Sequence, residues 1–406
     1  MHILFLAPDT HAYNHSFLQG LKSLGARVSA VGPGSVEQLS KGARGVLDAY
    51  RSCRNVLDAD ELLMHARALA ADEPFSQIET IDEPLVEAAA ALREALGVPG
   101  LSTATARLCR DKVAMKEFLR ARGVPCAAST GVHSMAELVE FAAVEGFPLI
   151  VKPVDGFNAN DTHRVDDMAA LQALAPKLGL DGHRRLAVEE FIEGHEGFYD
   201  TIVGPEGVRH DFVGHYYPGC LEANRTRWIS PQIAISNRIE DDIYRELRAV
   251  AGLVTDALGL RGTATHMEWF MGPKGLRFGE IGARPAGEKI WDMYRRANDF
   301  DVFREWALAV LGLPSEERPS RRLCAGSIQI RPDKDGIIAG HTGVRAAFAR
   351  YGSYIYEYAL PEEGAPTQGL DRGWLCNTWF RLEHPSFDEL RGAMSAIGEG
   401  VKTRTK

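Results

Sequence analysis

The stretch THMEWFMGPKGLRFGEIGARPAG, residues 265–287, decides how the rest of the chain is read. Two apolar runs, 266–271 and 276–281, flank Gly272-Pro273-Lys274-Gly275 and predict an antiparallel hairpin. Proline at the first turn position and glycine where left-handed backbone is needed suit a three-residue loop, Pro273-Lys274-Gly275. Such a loop pairs Gly272 with Leu276. Glu268 then faces Glu280, His266 faces Gly282, Phe270 faces Phe278, and Arg284 continues the same face. Directly opposed side chains have Cβ atoms about 4.5–5.5 Å apart, where like charges destabilise. Two carboxylates so placed call for a cation between them. Oxygen donors of this kind suit Mg²⁺ bridging phosphates, with Mn²⁺ able to take its place. A different loop length would put the two glutamates on opposite faces.

Working outward, Lys152 ends the apolar strand Pro148-Leu149-Ile150-Val151 and precedes Pro153. A lysine there is costly unless its ammonium meets an anion, although it can also snorkel to water. The turn-prone Asp155-Gly156-Phe157-Asn158-Ala159-Asn160-Asp161 follows and can present backbone N–H groups. A third strand, 186–192, runs into Glu193-Gly194-His195-Glu196. Acids and glycine at a strand end can hold a purine with backbone groups and a sugar with a carboxylate. Taken alone, they can equally be solvated.

The 406 residues give a net charge of −9, from 46 Lys+Arg against 55 Asp+Glu, which argues against binding along a nucleic-acid backbone. No uncharged apolar run approaches the ~18–20 residues of a membrane span. The opening MHILFLAP lacks a preceding basic segment and reads as a first strand, so the expected location is cytoplasmic. Six cysteines (Cys53, Cys109, Cys126, Cys220, Cys324, Cys376) are widely spaced and predict reduced, buried thiols. Residues 2–7, 15–24 and 27–31 read β–α–β, the start of a parallel sheet without a GxGxxG turn. Further helices are predicted at 60–71, 83–96, 111–122, 241–258, 302–311 and 386–398, with a proline-bounded linker at 314–319.

Five segments occur in an order that resembles the ATP-grasp superfamily: DKVAMKEFLRARGVP (111–125), FPLIVKP (147–153), VEEFIEGHE (188–196), THMEWF (265–270) and FGEIGARPAG (278–287). The resemblance implies an α/β and α+β fold, with a Rossmann-like parallel-sheet domain at 1–107. An ATP-grasp domain follows at 108–318, with its lid subdomain at about 126–200, and then a small α+β domain at 319–406. By position it implies that Lys112 and Lys152 contact ATP. Glu189, Glu190 and Ile192 match the adenine hinge, Glu196 the ribose carboxylate, Glu268 and Glu280 the magnesium ligands, and Arg284 the arginine that steadies the transferring phosphoryl group.

The sequence departs from the family pattern twice. Glycine stands at position 282, where ExNxR motifs carry asparagine, and a glycine-serine-rich lid loop is replaced around 157–162. The segment after Arg284 and the tail from 326 are more similar to the amino-acid and dipeptide ligase branch than to biotin carboxylases. The implied activity is an ADP-forming carboxylate–amine ligase that works through an acyl phosphate. The implied partners are a small-molecule carboxylate and an amine, with no nucleic acid and no membrane, and a homodimer is left open. ATP-dependent carboxylation or formyl transfer to a small amine, and non-catalytic ATP binding, remain alternatives. Substrate candidates are Arg225 and Arg227, in the irregular aromatic segment 215–231, and His266 on the metal face.

Overall fold

The computed structural model describes residues 1–156, 161–180, 184–287, 289–369 and 376–406, so most of the replaced lid loop (157–160) lies outside the described residues. Strand β1 (His2–Leu6) is buried at every position, as a strand covered on both faces must be. With β2 (Arg27–Pro33), β3 (Ala49–Cys53) and β4 (Gln77–Glu79) it forms a parallel sheet in the order β3-β2-β1-β4. Helix Asn14–Ser23 makes the crossover between β1 and β2, so the β–α–β expectation holds.

The second sheet is antiparallel and built from β5 (Ser129–Val132), β6 (Leu149–Pro153), β7 (His163–Val165) and β8 (Leu186–Glu190), in the order β5-β8-β6-β7. It has its own core, in which Val132, Leu138, Leu149, Val151, Leu171 and Val188 are buried together.

The scaffold of the molecule is a third, eight-stranded antiparallel sheet. Its first six strands in chain order are β9 (His195–Gly204), β10 (Gly207–Tyr217), β11 (Gln232–Ser236), β12 (Thr263–Gly272), β13 (Gly275–Gly282) and β14 (Cys324–Gln329). After β15 (Ile338–Thr342), strands β16 (Ile355–Ala359) and β17 (Trp379–His384) complete it, in the order β13-β12-β9-β10-β11-β14-β17-β16. The segment expected to form a C-terminal domain therefore continues the central sheet through β14–β11 pairing, and only β15 pairs apart, with β18 (Lys402–Thr405). A sheet edge left unpaired at β11 would expose a row of backbone donors and acceptors, and β14 removes that liability.

Each face of the large sheet has a distinct cover. On one, Met267, Trp269, Phe278 and Ile281 pack with helices Thr103–Arg110, Lys112–Arg120 and Arg245–Ala257. On the other, Phe198, Ile202, Phe212 and Ala264 share a core with Ile3, Phe5 and Phe17 of the first domain and with helices Ile290–Asn298 and Val302–Val310. The 314–319 linker is tied down. Buried Glu305 accepts the backbone N–H groups of Glu316 and Glu317, each at 2.8 Å, and the Ser315 hydroxyl at 2.6 Å. All six cysteines are free thiols, four of them buried. No helix among the described residues is long and apolar enough to cross a membrane.

Candidate active site

Parity along β12 and β13 sets the site. On β12, Met267 and Trp269 are buried in the core while His266, Glu268 and Phe270 alternate with them on the other face. Each large apolar side chain so buried is worth roughly 1.5–3 kcal/mol, which holds the strand to one parity. On β13, Leu276 and Phe278 start the same inward alternation, which would carry Glu280 into the core if it continued. It does not continue, because the register shifts between Met267↔Ile281 and Trp269↔Phe278, leaving Glu268 opposite a bulge at Gly279-Glu280. A Cβ on Gly279 would lie 3.0 Å from the Glu268 carbonyl oxygen, tighter than an ordinary contact. The bulge swings Glu280 to the face of Glu268 and returns Ile281 to the core.

The hairpin expectation is thus corrected at the turn and kept at the site. Gly272 pairs with Gly275 across a two-residue turn, and Phe270 faces Arg277 while Phe278 faces Trp269. The bulge offsets that one-residue slip, so His266 does face Gly282. Burial pushes the Glu268 carboxyl up, and the neighbouring Glu280 charge pushes it further. Glu280 is half-buried, and although desolvation opposes its charge, Lys112 and Lys152 outweigh that effect and hold its carboxyl below the usual range.

Three lysines surround these acids. Asp111 caps helix Lys112–Arg120 by accepting the Val113 and Ala114 N–H groups, which places Lys112 in the first turn. Lys112 Nζ lies 3.5 Å from Glu280 and donates to the Gly156 carbonyl. Lys152, on β6, is 3.2 Å from Glu189 and 3.7 Å from Glu280. Burial disfavours its charge, but Glu189 and Glu280 prevail and raise its pKa. Glu189 also takes Lys116 at 2.7 Å, and although burial opposes its ionisation, the two lysines hold its carboxyl at about 2. Sequence reasoning missed Lys116. Its signal was its i, i+4 spacing from Lys112, which puts both ammonium groups on one helix face.

The remaining predicted residues divide. Glu190 is bound through its carboxylate to the Ala128 N–H at 3.0 Å and to Lys274, and its own N–H donates to the Ala128 carbonyl. Ile192 lies between β8 and β9. Glu196 is buried and accepts the Cys220 N–H at 2.8 Å. Burial, and then the Glu268 charge, push its carboxyl up to about 8. Ligand atoms of Glu196, Cys220 and Glu268 all lie within 4.8 Å of one another. Cys220 is a neighbour the sequence did not single out.

His266 is held by Asp200, ring Nδ1 to carboxylate 2.6 Å, and Asp200 in turn accepts the Tyr294 hydroxyl at 2.6 Å. Burial lowers the imidazole pKa, but Asp200 more than reverses that. Arg284 donates from Nε to Glu83 at 2.6 Å and from Nη1 to the Pro285 carbonyl at 2.7 Å. The two loop arginines part company: Arg225 donates to the Thr162 carbonyl, whereas Arg227 forms a double bridge to Asp335 at 3.0 and 2.6 Å.

This combination of a parallel-sheet domain, a small antiparallel lid and a large antiparallel sheet bearing paired glutamates is the ATP-grasp fold. The crystal structure of an L-amino acid ligase from Bacillus licheniformis superposes with a TM-score of 0.78 at 18% identity, covering 100% of this chain and 98% of that one. In sequence, the chain is 27% identical over 229 residues to an L-arginine-specific L-amino acid ligase of Bacillus subtilis, covering 55% of this chain and 54% of that protein. It is also 27% identical over 278 residues to a formate-dependent phosphoribosylglycinamide formyltransferase of Xanthomonas campestris pv. campestris, covering 66% and 65%. The chain thus spans about half to two thirds of the length of these curated relatives. No family model matches it.

Proposed function

We propose that the protein is an ATP-dependent carboxylate–amine ligase that forms an amide or peptide bond and releases ADP and phosphate. The observation that carries this reading is the meeting of Lys112, Lys152, Glu268 and Glu280 on one face, with Arg284 beyond the hairpin end. Two half-buried carboxylates, of which the Glu280 charge raises the proton affinity of Glu268, suit a hard divalent cation, and their all-oxygen donor set fits Mg²⁺. When bound, that ion would neutralise charge on the ATP phosphates.

In this reading Lys112 and Lys152 exchange their carboxylate partners for phosphate oxygens. Glu189 and the backbone of Glu190 and Ile192 take the adenine, and Glu196 turns from Cys220 to the ribose. The substrate carboxylate attacks the γ-phosphorus, the bond to the β,γ-bridging oxygen breaks, and ADP leaves. Arg284 steadies the transferring group and the acyl phosphate. The neutral amine then attacks the acyl carbon, the carbon–oxygen bond to phosphate breaks, and the amine loses its proton. Catalysis of this kind is mostly positioning and charge stabilisation.

The experiment is a screen of ADP release against pairs of amino acids and other small acids and amines, with formate and bicarbonate as separate arms. The ligase reading expects ADP only when both an acid and an amine are present. Turnover restricted to formate or bicarbonate would replace it with formyl transfer or carboxylation, a reading favoured by the formyltransferase relative.

A further inference from the structure

We infer that Glu83 of the first domain is the positioning residue of Arg284, and that position 282 is glycine to admit its carboxylate. Glu83 opens a short 3₁₀ turn, Glu83–Leu85, just beyond β4. One of its oxygens meets Arg284 Nε at 2.6 Å and the other meets Arg110 Nη1 at 3.1 Å, with about a tenth of its side chain exposed. Arg110 ends helix Thr103–Arg110 and its Nη2 donates to the Asp155 carbonyl at 2.7 Å, in the turn that follows the strand of Lys152. One carboxylate therefore links the first domain, the arginine beyond the hairpin and the turn after β6.

Gly282 supplies the independent observation. Its φ lies outside the left-handed region, so backbone conformation does not require glycine there. A Cβ at 282 would, however, sit 2.8 Å from the Glu83 carboxylate oxygen and 3.7 Å from Arg284 Cγ, so the end of the Glu83 side chain would have to move aside. Sequence reading treats Gly282 only as a missing metal oxygen. The structure shows that any side chain there would contest the seat of Glu83.

The consequence for Arg284 is geometric. Glu83 takes Nε and Pro285 takes Nη1, which fixes the plane of the guanidinium and, among the described residues, leaves Nη2 for a substrate oxygen. Arginine can be oriented this way because its donors form a rigid fork. The arginine is then correctly aimed only when the first domain is docked on the large sheet.

The inference rests on the ligase reading, and a double-mutant cycle tests it. ADP release is measured for the unaltered protein, Glu83→Gln, Arg284→Ala and the double variant, with Gly282→Ala as a second route to the same displacement and thermal melts to verify folding. Glu83→Gln and Gly282→Ala should each lower kcat by about 10–100-fold, the scale for losing the partner that orients a ligand group, and shift the KM for ATP by less than about threefold. In the Arg284→Ala background Glu83→Gln should change kcat by less than about twofold, because its effect passes through Arg284. Multiplicative effects of the two substitutions, or a loss confined to KM, would overturn the positioning role while leaving the ligase reading standing. Absence of turnover in the unaltered protein with every acid–amine pair would instead overturn both.

Discussion

At Glu280 a single carboxylate faces Glu268 and lies within 3.5 Å of Lys112 and 3.7 Å of Lys152. Replacing it with glutamine keeps the shape and removes the charge. Glu189 still compensates Lys152 and Lys116, so the fold should survive and the melting temperature should move little. Turnover should fall by about 10³-fold, the scale of several kcal/mol of lost charge stabilisation. ADP release followed against Mg²⁺ concentration checks this, and normal turnover with unchanged Mg²⁺ dependence would remove Glu280 from the site. Glu268, Glu280 and Lys152 were legible in the sequence because charged residues in or beside apolar strands stand out, and Lys112 only through the family resemblance. Glu83 and Cys220 were not, because each acquires meaning only through a neighbour distant in sequence, whereas Lys116 was missed although its i, i+4 spacing from Lys112 is local. Glu83 lies 201 positions from Arg284. For Arg227, placed in an aromatic segment that suggested a substrate group, the structure shows a double bridge to Asp335, a partner the sequence pattern does not reveal.

At the level of elements, the hairpin shows why loop length alone cannot decide parity. Pro273-Lys274-Gly275 is compatible with two registers one residue apart, and the chain adopts the one that by itself would bury Glu280. The inserted residue at Gly279 repairs it, and an isolated glycine within a strand is the sequence sign of such a bulge. Because Gly279 is the extra residue, deleting it should preserve parity: Phe278 and Ile281 stay in the core and Glu280 comes directly opposite Glu268 in an unbroken ladder. The expected result is a folded protein whose melting temperature moves by a few degrees at most and which keeps Mg²⁺-dependent turnover. A deletion variant that folds but has lost its Mg²⁺ dependence would contradict the parity argument. Strands β10 and β11 escaped sequence reading for a related reason: in Gly207–Tyr217, Arg209, His210, Asp211 and His215 interrupt the apolar alternation, and buried His210 is matched by Glu305 at 2.8 Å.

On the scale of the whole molecule, the order of the motifs revealed the architecture better than the boundaries did. The parallel sheet, the small antiparallel sheet and the large sheet follow one another along the chain, and the last segment both adds strands to the central sheet and packs a core of its own around Ile328, Phe380, Leu382 and Met394. No local pattern could reveal this, because it depends on β14 pairing with β11 across some ninety residues of chain. The first domain is equally integral, since it shares one apolar core with the large sheet and reaches the candidate site through Glu83. In the proposed reading these parts converge on one chemical event, transfer of the γ-phosphoryl group to a substrate carboxylate. Isotope transfer tests that event most directly. With an acid and amine pair that supports turnover, and both oxygens of the carboxylate labelled with ¹⁸O, the released phosphate should carry one ¹⁸O and the amide should retain the other, with unlabelled ADP. Label appearing in AMP, or phosphate released without label, would contradict the acyl-phosphate account.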